Sequence, residues 1–195
     1  MSDLVGALVA RIEVESHAQG EPLTVALDGR SGAGKSTLAR AVADAIGATV
    51  IESDDFYAGG SGESWDAMSA ADKAAYVIDW RAQRPVLEAL HRGEPESYHP
   101  YDWDDEANDG WAPHVVTVVP APVVILDGAY SARPELADLL DLRVLLLIDD
   151  DVRRAQLLAR EGDLYRSDWE ARWTEAELHY FGTVMPPEAF DLVLP

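Results

Sequence analysis

Apolar residues recur at Leu4, Val5, Leu8, Val9 and Ile12, the spacing of one helix face, which predicts a first helix within residues 1–20. Leu23 to Leu27 is a short β-branched run between Pro22 and Asp28-Gly29 and reads as a buried strand. An alanine-rich helical stretch, Lys35 to Ile46, stops at Gly47, and Thr49 to Glu52 forms a second strand ending in Ser53-Asp54-Asp55. The pattern then changes. Ser69 to Leu90 reads as helical segments broken near Pro85, and residues 94–111 read as a long loop. Regular structure resumes with strands at Val115–Val119, Val123–Leu126, Val144–Ile148 and Asp191–Leu194. Helices are predicted at Arg133–Leu140, Val152–Glu161 and Asp168–Tyr180. Strands alternating with helices imply one α/β domain over residues 1–195, a parallel sheet covered by helices on both faces.

Composition narrows the chemistry. At 195 residues and 48% apolar content the chain can bury a full core. It has no cysteine, which excludes disulfides, thiolate metal sites and cysteine nucleophiles. A net charge of −21 argues against a nucleic-acid partner, whose phosphates demand Lys and Arg. The N-terminal stretch is charged and no run approaches the roughly 18 apolar residues of a membrane span. The expected place is therefore the cytoplasm, without membrane contact; assembly with copies of itself stays open.

The sharpest motif is Gly29-Arg30-Ser31-Gly32-Ala33-Gly34-Lys35-Ser36-Thr37, a G-x-x-x-x-G-K-[ST] pattern set where a strand turns into a helix. Glycines let such a loop curl so that backbone N–H groups converge on phosphates, and the following helix adds its positive end. Lys35 is one of only two lysines, against 13 arginines. It is placed to hold β- and γ-phosphates, and the Ser36 hydroxyl to hold Mg²⁺. ATP and Mg²⁺ are the expected cofactors. A glycine turn capping an ordinary helix is the bland alternative.

Two further acids end apolar strands, Asp54 (with Asp55) and Asp127. Ligands of an open parallel sheet bind outside the carboxyl ends of its strands, so these acids belong on the edge that carries the loop. Ser36, Asp54 and Asp127 make a candidate Mg²⁺ set. A hydroxyl acceptor must lose a proton as it attacks, so Asp54 is also the candidate base and points to a small hydroxyl-bearing substrate. Arg153, Arg154, Arg160 and Arg166 cross a Gly162-Asp163 break and suggest a lid over residues 150–172, with Arg160 and Arg166 reaching the phosphates. The five histidines lack paired metal-ligand spacing.

These residues resemble the uridine kinase and phosphoribulokinase type of P-loop kinase. Gly29 to Thr37 is similar to its Walker A motif, and Asp54-Asp55-Phe56-Tyr57 to its Asp-Ser-Phe-Tyr motif, whose first aspartate is the base. Tyr101-Asp102-Trp103 resembles the acceptor segment Tyr-Asp-Phe, and Asp127-Gly128 stands where the family has a magnesium-coordinating Glu-Gly. The resemblance implies a P-loop nucleoside triphosphate hydrolase fold with a five-stranded parallel sheet and a lid. It also implies an acceptor-binding insertion over residues 56–111 and acceptor contacts from Asp54, Tyr57, Tyr101 and Asp102. After Tyr101-Asp102-Trp103, however, the family's His-Ser-Arg is replaced by Asp104-Asp105-Glu106-Ala107-Asn108-Asp109. A nucleoside, a sugar or another uncharged acceptor fits this better than a charged one. The alternatives are a nucleoside monophosphate kinase, using Arg81, Arg84 or Arg92 for the acceptor phosphate, and an ATPase with no small acceptor.

Overall fold

In the computed structural model, residues 2–16, 22–103, 110–162 and 167–195 are described. Helix α1 (Ser2–Glu15) leads into strand β1 (Leu23–Asp28), helix α2 (Lys35–Ile46) and strand β2 (Thr49–Glu52). Helices α3 (Gly62–Asp66), α4 (Ala70–Tyr76) and α5 (Trp80–His91) and strands β3 (Glu96–Tyr98) and β4 (Val116–Val118) follow. The chain closes through β5 (Val123–Asp127), β6 (Leu142–Leu146), α6 (Asp150–Glu161), α7 (Ser167–His179) and β7 (Leu192–Leu194).

Five strands form one parallel sheet in the order β2-β5-β1-β6-β7. Side chains alternate across it with period two. Val25 and Leu27 join Leu8, Ile12, Leu38 and Val42 beneath α1 and α2. Ala26 faces the other way, into a core with Leu87, Leu90 and Tyr180 from the α5 and α7 side. Strands β1 and β5 are buried along nearly their whole length, as expected for central strands with helices on both faces.

Four expectations need correction. The stretch 94–111 is not all loop, because Glu96–Tyr98 pairs antiparallel with Val116–Val118 in a separate two-stranded sheet. The helical break falls at residues 77–79 rather than at Pro85, which lies inside α5. Asp79 caps that helix by accepting from the Arg81 N–H at 3.0 Å, and Pro85 removes a single donor from an otherwise intact helix. Residues 134–139 are 3₁₀ rather than α-helical, and β6 begins two residues early, at Leu142.

Candidate active site

Strand order makes the site. β2, β5 and β1 are neighbours, and their registers put Glu52 beside Asp127 and Asp127 beside Leu27. The chain leaving β1 therefore enters the phosphate loop next to Asp127, and the turn after β2 brings Asp54 to the same edge. Adjacent strands lie about 4.8 Å apart, so the spacing of these groups is set by the sheet. Gly29, at φ +150°, turns the loop away from β1, where a Cβ would lie 2.5 Å from the Leu146 carbonyl oxygen.

The loop, the strand ends and helices α6 and α7 enclose a cleft of about 780 Å³. Ser31, Gly32, Gly34, Lys35, Ser36 and Thr37 line it. The remaining loop positions carry the turn itself. Ala33 is buried in the core below, and the Arg30 side chain leaves the cleft for Glu177, Asp150 and Thr174. Lys35 Nζ donates to the Arg30 carbonyl at 3.1 Å, which holds the ammonium over the loop.

Asp127 is buried, and burial lifts its pKa to about 6 against the pull of the Ser36 hydroxyl and the Lys35 ammonium. Its Oδ1 is buried with no hydrogen-bond partner among the described residues. A buried carboxylate oxygen left bare beside a hydroxyl is a hard-oxygen donor set that suits Mg²⁺. The described residues contain no cluster of three or more His, Asp or Glu side chains able to cage a metal alone. A cation here would therefore draw its remaining oxygens from phosphate and water.

Asp54 and Asp55 lie on the 3₁₀ turn Ser53–Phe56 and have different surroundings. Asp55 accepts from the Tyr98 hydroxyl at 2.9 Å, and its carbonyl accepts from the Tyr101 N–H at 2.8 Å. Asp54 has protein on every side yet stays open to water through the cleft. Crowding raises its pKa, opposed by the charges of Lys35 and Arg160.

The acceptor side is aromatic. Tyr57, Trp103, Trp169 and Trp173 share the wall with Val77 and Ile78. Tyr57 stacks on Trp103 at 4.9 Å and meets Trp173 edge-on at 6.1 Å. Burial pushes the Tyr57 hydroxyl up to about 12, so this wall is neutral. Tyr101 stands behind it, edge-on to Tyr57 at 4.8 Å, and Asp102 also lies off the wall, its N–H donating to the Gly110 carbonyl at 3.2 Å. The structure therefore does not place either residue of that expected pair in the cleft.

The arginine group divides. Arg160 lines the cleft, with Nε donating to Glu161 at 2.7 Å. Arg153, two turns earlier, is buried and donates to the Ser31 carbonyl at 3.1 Å, while Arg154 is exposed and paired with Glu170. Arg166 lies outside the described residues. Arg81 sits over the Trp80 ring, Arg84 pairs with Glu88 and Asp138, and Arg92 pairs with Glu94. None of these three lines the cleft, where the cationic side chains among the described residues are Lys35, Arg40 and Arg160.

Sequence reasoning missed Asp28, Glu177 and the α7 tryptophans. Asp28 is wholly buried and accepts four hydrogen bonds, from the N–H groups of Gly29, Tyr130 and Ala132 and from the Tyr180 hydroxyl. Its place directly before Gly29 was a usable signal, and the four-residue spacing of Trp169, Trp173 and Glu177 was another.

A five-stranded parallel sheet whose edge carries a phosphate loop, with facing acids and Arg160 in the same cleft, defines a P-loop phosphotransferase. The Phosphoribulokinase / Uridine kinase family model matches residues 24–166, and the chain belongs to that family. It is a phosphotransferase acting on a hydroxyl group. A uridine kinase from Deinococcus deserti is 30% identical over 145 residues, covering 72% of this chain and 69% of the relative. One from Halobacterium salinarum is 30% identical over 141 residues, covering 70% and 61%. In fold, the chain is similar to a possible uridine kinase from Bacillus stearothermophilus (TM-score 0.76, 18% identity, 100% and 98% of the two chains). It is similar as well to a protein provisionally named as a fructose transport system kinase from Silicibacter sp. TM1040 (TM-score 0.73, 24% identity, 98% of each chain). Among the described residues no helix is long and apolar enough to cross a membrane.

Proposed function

We propose that this kinase moves the γ-phosphoryl group of ATP to a hydroxyl of an uncharged nucleoside, in the cytoplasm, with Asp54 as the base. The observation that carries this reading is the division of the cleft. Its lining falls into Lys35 with the phosphate-loop residues and a neutral aromatic set of Tyr57, Trp103, Trp169 and Trp173, and Asp54 lies on the turn that leads into Tyr57. A flat, uncharged ring fits that wall by stacking. An acceptor phosphate would need an arginine there, and Arg81, Arg84 and Arg92 are engaged elsewhere.

In this reading Lys35 and the loop amides bind the triphosphate, and Arg160 offsets charge that builds on the transferring group. Ser36 and Asp127, with Asp54 nearby, would hold Mg²⁺, which neutralises phosphate charge when bound. Asp54 Oδ accepts the proton of the attacking hydroxyl; its freedom from the Tyr98 bond that occupies Asp55 favours it over its neighbour. Tyr101 supports the acceptor wall from behind, and residues 56–111 and 150–172 act as acceptor insertion and lid.

An acceptor panel read by ADP release tests this. Nucleosides are expected to stimulate release well above sugars and nucleoside monophosphates. Preference for a monophosphate, or no stimulation by any acceptor, would overturn it.

A further inference from the structure

Helix α7 runs along the whole cleft, and Trp169, Trp173 and Glu177 recur every four residues on the face it turns inward. The two tryptophans belong to the acceptor wall. Glu177 sits at the phosphate loop, is 2% exposed, and accepts from the Ser31 N–H at 2.7 Å and from Arg30 Nε at 3.1 Å. One helical step on, Tyr180 bonds Asp28, which in turn accepts the first amide of the loop, Gly29 N–H, at 2.7 Å. The loop is gripped from the other side too, where Arg153 donates to the Ser31 carbonyl and to Asp150.

A buried carboxylate inside an anion-binding loop needs a reason, since it is repelled by the phosphates that the loop receives. Its two donors supply one. Arg30 is turned out of the cleft to compensate the charge, and the Ser31 amide is fixed in direction by a charge-assisted bond. We propose that Glu177 is a positioning residue: it fixes the Arg30–Ser31 turn of the phosphate loop and, through the shared face of α7, ties the loop to the acceptor wall. Nucleotide binding and the order of α7 are then one event. The inference rests on the phosphotransferase reading of the cleft.

The test uses the full chain, Mg²⁺ and the non-hydrolysable analogue AMP-PNP. Glu177→Ala is expected to bind it about tenfold more weakly, equal to about 1.4 kcal/mol and the scale of one charge-assisted bond. Residue-resolved hydrogen exchange should speed up at 30–34 in the free variant while β1 and β5 stay protected. In wild type, AMP-PNP should raise protection through 169–179, and in Glu177→Ala it should not. Glu177→Asp keeps the charge but withdraws it by one methylene, so it should lose loop protection in the same way. Glu177→Gln keeps an oxygen for the Ser31 amide and should retain that protection. Undiminished or tighter AMP-PNP binding by Glu177→Ala, or loop exchange unchanged in Glu177→Asp, overturns the proposal. Failure of wild type to bind AMP-PNP would instead strike the phosphotransferase reading itself.

Discussion

Gly128 is where the two acid-bearing strand ends touch, and adding one methyl group there tests how the site is spaced. A Cβ on Gly128 would lie 2.5 Å from Ser53 Cβ and 3.0 Å from Ser53 Oγ, and the backbone sits at φ +147°. Ser53 is fully buried and directly precedes Asp54, while Gly128 directly follows Asp127. Gly128→Ala therefore carries two costs, overpacking of about 1–3 kcal/mol and a disfavoured backbone of about 1–2 kcal/mol. The sum of about 3 kcal/mol should lower Tm by roughly 6–12 °C for a domain of this size. Relief of the clash shifts Ser53 relative to Gly128, which displaces the adjoining Asp54 and Asp127 relative to each other. Turnover should fall at least about tenfold at 25 °C, because small misplacements at a reacting centre are expensive. The steric share can be isolated. In a Ser53→Gly background the nearest remaining Ser53 atom would be Cα at 3.5 Å, an ordinary contact. There Gly128→Ala should cost only its backbone share. Thermal and urea melts of the four proteins in this cycle give a coupling of about 1–3 kcal/mol, beyond the roughly 0.5 kcal/mol of independent sites. Equal costs in both backgrounds would refute the reasoning.

Asp54→Asn should leave AMP-PNP binding within about twofold while cutting turnover by about 10²–10⁴, since it removes the proton acceptor and not the phosphate cradle; wild-type turnover in that variant excludes Asp54 as base. Asp28, lifted by burial to about 6 from 3.8, adds a pH term. A raised carboxylate makes the folded state take up a proton, so its contribution to stability is present at low pH and is lost as pH rises through about 6. The difference in unfolding free energy between Asp28→Asn and wild type should therefore shift in the variant's favour by up to about 3 kcal/mol between pH 4 and pH 7. The constant loss of acceptor bonds cancels from that comparison, and a flat difference would disprove it. Tyr180→Phe removes the only side-chain donor to Asp28 among the described residues and should move the inflection upward.

What the sequence made legible follows one rule: features whose chemistry lies in consecutive residues could be read. The run from Leu23 through the glycines to Lys35 declares strand, loop and helix in a single stretch, and Asp127 closes an unbroken apolar strand. Val116–Val118 is legible as the run Val115–Val119, but its partner Glu96–Tyr98 is not, being three residues long and paired across 18 to 22 positions. Arg153 read as one arginine of a lid, whereas tertiary contacts bury it against the loop, donating to the Ser31 carbonyl. Asp102 carried the expected acceptor role by its place in a short motif, but Trp103 beside it reaches the cleft. The four-residue spacing marks Glu177 only as sharing a helix face with Trp169 and Trp173; its partners are 146 and 147 residues away.

The chain leaves the main sheet at the end of β2 and rejoins it at Val123, in the strand immediately beside the one it left. Everything between these points, the three helices α3, α4 and α5, the two-stranded sheet and two of the four wall aromatics, Tyr57 and Trp103, is joined to the sheet at two adjacent points, and Leu87 and Leu90 of α5 pack against it. Such an arrangement gathers half of the acceptor wall into one excursion and leaves the other half, Trp169 and Trp173, on α7 beside the phosphate loop. A graft for redirecting this kinase to a new alcohol would therefore exchange the stretch around Tyr57 and Trp103 while keeping Leu87 and Leu90 of α5, which cover the sheet, and the β2–β5 register.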